Sequence, residues 1–173
     1  AYDPDGERVA AATASGLWLG SATGDDGQLY ATTAPLTSVS WSPDGLLVAT
    51  GVGDTANPTA SAGQVLVWNG ATGEVLLVFD EPQAAVLSLA WSPDGKYLAA
   101  GAADEMLYLY DAVIGALESV LGSHGAPVWS VAWSPDSSQI AASSEDEGVR
   151  IWQVDIGEAI LTLEGIETAV WTL

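Results

Sequence analysis

The sequence contains no cysteine, and that absence removes disulfides, thiolate metal sites and cysteine nucleophiles together. Basic residues are almost as scarce. Arg8, Lys96 and Arg150 stand against 23 acidic residues, giving a net charge of −20. Such a chain repels phosphate backbones, which argues against nucleic-acid binding, and it is disfavoured at anionic membrane surfaces for the same reason. No apolar run approaches the ~18 residues of a membrane-spanning helix, so no membrane insertion is expected. His124 is the single histidine, too few to build a zinc site without cysteines. No glycine-rich phosphate fingerprint can be matched, and no helical period is sustained over about ten residues. The acidic excess reads most plainly as a solubility field, with a basic partner or a cation-rich setting as the sharper alternative. The near loss of lysine favours an extracellular or high-salt setting over the cytoplasm, and the compartment is otherwise open.

What is present is glycine, proline and tryptophan in a repeating pattern. The chain of 173 residues has 19 glycines, 8 prolines and 8 tryptophans. Trp41-Ser42-Pro43-Asp44-Gly45 recurs as Trp91-Ser92-Pro93-Asp94-Gly95 and as Trp133-Ser134-Pro135-Asp136-Ser137, and Tyr2-Asp3-Pro4-Asp5-Gly6 opens the chain. The first residues of the copies stand 39, 50 and 42 positions apart. The pentapeptide is a turn: proline fixes φ, and the closing glycine tolerates positive φ. The aromatic residue before it ends a strand.

The intervening segments read as short strands. Leu36 to Trp41, Ala85 to Trp91 and Pro127 to Trp133 precede the turns. Arg8 to Ala14, Leu46 to Gly51, Tyr97 to Ala102 and Gln139 to Ser144 follow them. Third strands are Leu17 to Leu19, Val65 to Trp68, Leu107 to Tyr110 and Val149 to Trp152; fourth strands are Gln28 to Thr32, Val75 to Phe79, Ala116 to Leu121 and Glu158 to Leu163. Strands of this length with turn signals at this spacing predict an all-β fold. Asp54 to Gly63 is an insertion of small polar residues that explains the longer interval.

Ser123 to Gln153 resembles a complete WD40 repeat. It supplies Ser123-His124, the Trp133 to Ser137 turn, the small-residue strand Ala141 to Ser144, Asp146, and the closing Val149-Arg150-Ile151-Trp152. It departs from the family pattern at Ser123 and Ser137, where glycine is usual, and at Gln153, where aspartate is usual. The other three repeats are degenerate, and only Tyr110-Asp111 keeps the closing acid. The resemblance implies a β-propeller of four-stranded antiparallel blades, four in this chain, forming part of a larger ring. The expected blade segments are 1–35, 36–84, 85–126 and 127–167, with 168–173 supplying the innermost strand of the first blade. It also implies a hydrogen-bonded structural network of His124, Ser143 or Ser144, Asp146 and Trp152. Blades without the histidine should have weaker networks or none.

The two ends carry further information. Val170-Trp171-Thr172-Leu173 followed by Ala1-Tyr2 matches Val128 to Trp133 without a gap. The cut therefore falls inside an innermost strand, and an unpaired strand edge invites pairing. Three arrangements satisfy it. Two copies can close an eight-bladed ring; a longer protein can supply further blades; or the chain can close on itself or propagate head to tail.

The acidic pairs Asp25-Asp26 and Asp104-Glu105, and Glu145-Asp146-Glu147, fall at turns and lack the alternation of a calcium loop. They read as solvated turns. Most of the tryptophans are periodic, as core packing requires. Trp129 and Trp171 differ, because they occupy equivalent places on innermost strands where tryptophan can act as a partner contact. No catalytic, metal-binding or cofactor-binding constellation is found. The expected function is a non-catalytic protein-interaction or assembly scaffold. The alternative is a structural subunit of a homopolymer joined by strand complementation. Its partners would be proteins, either copies of itself or other blades of a longer chain.

Overall fold

A computed structural model of the chain describes residues 1–145, 148–163 and 170–173. Residues 168 and 169, part of the anticipated C-terminal strand, lie outside them. The described residues are all-β, in four consecutive antiparallel sheets, and form no helix that could cross a membrane.

The first sheet holds β1 (Arg8–Thr13), β2 (Gly16–Ser21) and β3 (Gln28–Ala31). The second holds β4 (Leu36–Trp41), β5 (Leu47–Val52), β6 (Gln64–Asn69) and β7 (Val75–Phe79). The third holds β8 (Val86–Trp91), β9 (Tyr97–Ala102), β10 (Met106–Asp111) and β11 (Ala116–Ser123). The fourth holds β12 (Val128–Trp133), β13 (Gln139–Ser144), β14 (Val149–Gln153) and β15 (Glu158–Leu163). Each sheet is a meander with neighbours in chain order, the arrangement that short turns impose on antiparallel strands. The register fixes equivalent positions. Trp41 faces Val48, Trp91 faces Leu98, Trp133 faces Ile140, and Tyr2 makes an isolated bridge to Val9.

The repeated turn explains why this register recurs. The Ser42 hydroxyl donates to Asp44 at 2.6 Å and accepts from the Leu47 N–H at 2.9 Å. Ser92 does the same between Asp94 and Tyr97, and Ser134 between Asp136 and Gln139. Each turn therefore locks the first rung of the hairpin that follows. Its last residue sits at positive φ, 70° at Gly45 and 74° at Gly95. Ser137 adopts the same left-handed conformation at 60°, and its hydroxyl accepts from the Asp94 N–H at 3.1 Å. In the first copy Asp3 takes the serine's place. Its carboxylate accepts from the Glu7 and Arg8 N–H groups at 2.9 and 3.0 Å and from Arg8 Nε at 2.8 Å.

The core lies between the sheets, with one cluster per seam. Ala10, Leu17 and Leu19 of the first sheet meet Leu36, Trp41, Val48, Val52 and Trp68 of the second. Val65, Val67 and Phe79 of the second meet Val86, Trp91, Leu98, Tyr108 and Tyr110 of the third. Leu107, Leu109 and Leu121 of the third meet Val128, Ile140 and Trp152 of the fourth. Each large apolar side chain buried here contributes roughly 1.5–3 kcal/mol. Alternate residues of a strand serve the seams on its two sides. In β5, Val48 and Val52 face the first sheet and Ala49 faces the third.

The outermost strands are much more open. All six residues of β15 are exposed, as are Val75, Leu76 and Val78 of β7. The inserted loop lies between β5 and β6 and is largely exposed. It is nevertheless tied to the entry of β8, where Ala85 N–H donates to the Pro58 carbonyl at 2.8 Å.

Candidate functional site

The innermost strands carry a feature that periodicity does not reveal. β4, β8 and β12 each have a β-bulge at the same place, between Leu36 and Ser38, Val86 and Ser88, and Val128 and Ser130. The bulged residues are Thr37, Leu87 and Trp129, all half-buried. A bulge inserts one unpaired residue and re-aims its side chain. Because the bulge sits on the innermost strand of the second, third and fourth sheets, it turns one side chain in each of these three out of the ladder. Nothing in the sequence marks this, since a bulge has the same composition as the strand around it.

Trp171 holds the corresponding place on the C-terminal segment. Its ring packs on Trp129 with centroids 4.8 Å apart and planes tilted by 58°, a separation within the favourable range for aromatic pairs. Trp171 is 59% exposed. The Trp129 Nε1 is buried and has no hydrogen-bond partner among the described residues. The pair forms an aromatic surface with one open face and an unused donor beneath it.

The histidine region is buried. His124 is almost wholly enclosed, and its ring lies 6.2 Å from that of Trp152. Its N–H donates to the Glu105 carbonyl at 2.9 Å, and its carbonyl accepts from Arg150 Nη1 at 2.8 Å. The Ser144 hydroxyl donates to the Ala126 carbonyl at 2.9 Å. The hydroxyl of Ser143 and the indole N–H of Trp152 are buried without a hydrogen-bond partner among the described residues. Asp146 and Glu147 lie outside the described residues. The structure thus brings His124 and Trp152 together and directs Ser144 to a backbone carbonyl.

The second sheet has a side-chain bond that the histidine-based expectation misses. Trp68 Nε1 donates to Thr50 Oγ1 at 2.8 Å, and both residues are buried. Trp68 pairs with Val48 and Trp152 with Ile140, so the counterpart of Thr50 in the fourth sheet is Ala142. The usable signal is the hydroxyl two residues beyond the residue facing the closing tryptophan. In the third sheet the counterparts are Ala100 and Tyr110, and Tyr110 instead stacks on Phe79 at 4.3 Å. Burial holds the Tyr110 and Tyr108 hydroxyls well above the ordinary phenol value.

Two of the turn carboxylates, Asp26 and Asp104, are engaged in hydrogen bonds. Asp26 accepts from the Ser21 N–H at 2.7 Å, which lowers its pKa from 3.8. Asp104 accepts from the Gln83 N–H at 2.7 Å and from the Tyr108 hydroxyl at 2.8 Å. Glu145 is exposed. Among the described residues, no group of three metal-ligating side chains converges. Two shallow grooves lie between sheets. One, of about 360 Å³, is lined by Arg8, Tyr30 and Trp41; the other, of about 430 Å³, by Asp94, Glu118, Asp136 and Asp155 around Lys96. Arg8 is already committed to Asp3, to the carbonyls of Gly45 and Gly70, and to the face of Trp41 at 4.6 Å.

Comparison with known proteins agrees with this architecture. The family described as WD domain, G-beta repeat matches residues 26–69, 73–111 and 115–153. Among solved structures, the chain is similar to one described as a mitotic checkpoint complex, with a TM-score of 0.85 and 22% identity, over 98% of this chain and 51% of that one. It is also similar to the WD40 repeats of RRP9, with a TM-score of 0.74 and 23% identity, over 83% of this chain and 42% of that one. The chain therefore spans about half the length of these structures or less. No curated protein gives a significant match. Three matched repeats covering most of the sequence, on a frame of successive antiparallel sheets, place the chain in the WD40-repeat family.

Proposed function

We propose that the chain is a non-catalytic scaffold on which proteins assemble, with Trp129 and Trp171 as partner contacts. WD40-repeat proteins generally act as protein-interaction scaffolds. The observation that carries the reading here is the tryptophan pair on the innermost wall. It combines a large rigid apolar surface, 59% exposed at Trp171, with an unused indole donor at Trp129. Surfaces of this kind concentrate binding energy. The carboxylates of Asp26 and Asp104 are consistent with the same reading, because their hydrogen bonds hold the backbone of neighbouring turns. His124, Ser143, Ser144, Asp146 and Trp152 belong to the frame in this reading, and the burial of His124 supports it.

The test places a photo-crosslinking phenylalanine analogue at position 171 and identifies what it captures under native conditions. The expected result is a small, reproducible set of proteins. Capture should weaken in a Trp129→Ala background, where a contact worth about 2 kcal/mol lowers affinity about 30-fold. Capture that is indifferent to Trp129, or no capture at all, contradicts the assignment of these residues.

A further inference from the structure

The turn between β6 and β7 holds a chemically labile pair. The sequence has two asparagines, Asn57 and Asn69. Proline follows Asn57 and has no N–H; glycine follows Asn69 and has no Cβ to hinder its nitrogen. Of the two, only Asn69 therefore allows the next backbone nitrogen to close a five-membered ring on the side-chain amide.

Packing in the seam between the first and second sheets requires this sequence. Gly70 is buried, and a Cβ there would stand 2.4 Å from the Trp41 ring and 3.0 Å from the Leu46 carbonyl oxygen. A bulkier residue that would slow ring closure has no room.

The folded turn also guards the pair. Asn69 Oδ1 accepts from the Ala71 and Thr72 N–H groups at 2.9 and 3.0 Å, which pins the amide. The nitrogen that would attack belongs to Gly70, and its N–H donates to the Leu46 carbonyl at 2.8 Å. Ring closure needs that proton to leave and the amide to rotate toward the nitrogen, so these three bonds must open first.

The third sheet shows how the product fits. Asp111 ends β10 as Asn69 ends β6, and it faces Tyr97 as Asn69 faces Leu47. Its Oδ1 accepts from the Val113 and Ile114 N–H groups at 2.8 and 2.9 Å. Its carbonyl accepts from the Gly115 N–H at 3.0 Å, as that of Asn69 accepts from the Gly73 N–H at 2.9 Å. A carboxylate thus makes the same bonds in the same turn, strengthened by its charge.

We infer that Asn69–Gly70 is a site of spontaneous covalent modification, gated by opening of this turn, at which asparagine becomes the aspartate that the third sheet already has. In the opened turn Gly70 N loses its proton and bonds to Asn69 Cγ. The Cγ–Nδ2 bond breaks, and the amide nitrogen leaves as ammonia with that proton. Water then opens the cyclic imide. Addition at Cγ breaks the new Cγ–N bond and gives aspartate with the main chain unaltered. Addition at the backbone carbonyl carbon breaks its bond to Gly70 N and gives isoaspartate, with the main chain routed through Cβ and longer by an atom. The turn closes again on aspartate. It does not close on isoaspartate, because Gly70 has no room to shift beside Trp41. None of these steps involves Trp129 or Trp171, so the site stands apart from the scaffold reading.

Peptide mass mapping of the whole chain, incubated in mildly alkaline buffer with and without urea, tests this. In urea, the small mass gain of an amide becoming an acid is expected at Asn69, with ammonia released and no gain at Asn57. In the fold the same gain should be at least about tenfold slower, because only the opened turn reacts. Folded chains recovered on a sizing column should carry aspartate at position 69, with isoaspartate collecting in the unfolded or aggregated fraction. Asn69→Asp makes the product directly. In salt that screens the net charge, it should keep the circular dichroism of the parent and melt at or above the parent's midpoint. Equal rates with and without urea overturn the gating. A gain placed elsewhere, or none in urea, overturns the site. Isoaspartate spread evenly through the folded fraction, or an Asn69→Asp chain that melts below the parent, overturns the match to Asp111.

Discussion

β5 and β1 are the same strand of the repeat in two sheets, and they differ in what lies beside them. β5 is laddered on both edges, by β4 and β6, and is buried from Val48 to Val52. β1 is laddered by β2 alone apart from the rungs at Ala1 and Tyr2, and only Ala10 is fully enclosed. The sequences, Leu-Val-Ala-Thr-Gly-Val and Arg-Val-Ala-Ala-Ala-Thr, are similarly apolar and small. Burial here is thus a property of neighbouring sheets rather than of the strand. Where the second sheet covers β1, at Ala10, the two strands look alike; where β5 has a sheet and β1 has none, they diverge.

That contrast can be broken most forcefully with a charge. Val48→Asp places an unpaired carboxylate in a closed seam and should cost more than about 4 kcal/mol, read as loss of a cooperative urea transition. Val9→Asp, at the matching half-buried position, should cost less than about 2 kcal/mol in the single chain. Equal losses would mean that β1 is as enclosed as β5.

The turns before the two strands give the next test. Asp3→Ala removes a charged acceptor of two backbone N–H groups and of Arg8, and should cost about 2–3 kcal/mol; Ser42→Ala removes a neutral hydroxyl and should cost about 1 kcal/mol. Denaturant midpoints rank the two. Within the sheets, Thr50→Ala leaves the Trp68 indole buried and unpartnered and should cost about 1–2 kcal/mol, while Ala142→Ser offers Trp152 the hydroxyl that Thr50 offers Trp68 and should gain up to about 1 kcal/mol. Thermal midpoints moving in opposite directions would confirm the equivalence of the two positions.

The pH dependence is the mildest test. The hydroxyls of Ser134 and Ser138 hold Asp136 down to about 2, Ser42 and Ser92 lower Asp44 and Asp94, and the Arg8 N–H lowers Asp3. A carboxyl with a lowered pKa in the fold adds stability above its ordinary value of 3.8 and loses it as pH falls toward the folded value. Thermal midpoints should therefore hold steady above about pH 5 and fall between about pH 4 and 2. Asp136→Ala should flatten part of that fall.

Much of the fold is legible in the sequence because the turn is chemically demanding. Ser-Pro-Asp-Gly places a hydroxyl, a fixed φ, a carboxylate and a left-handed residue at consecutive positions, and its recurrence sets the strand order and the register at Trp41, Trp91 and Trp133. The site was less legible. Trp129 and Trp171 are noticeable as residue types on an inner strand, but the bulge that re-aims Trp129 depends on one extra residue in a ladder. The Thr50–Trp68 bond is hidden in the sequence because the expected network centres on a histidine, and the second sheet has none. Serines 143 and 144 fit a small-residue strand equally well at either place, and only the pairing of Ile140 with Trp152 shows that Ala142 is the counterpart of Thr50.

The central claim is that Trp129 and Trp171 together form the surface on which partner proteins assemble. Photo-crosslinking from position 171, with and without Trp129→Ala, addresses it directly. The expected result is a small, reproducible set of captured proteins whose capture weakens when Trp129 is lost. Capture that is indifferent to Trp129, or no capture at all, would contradict the account.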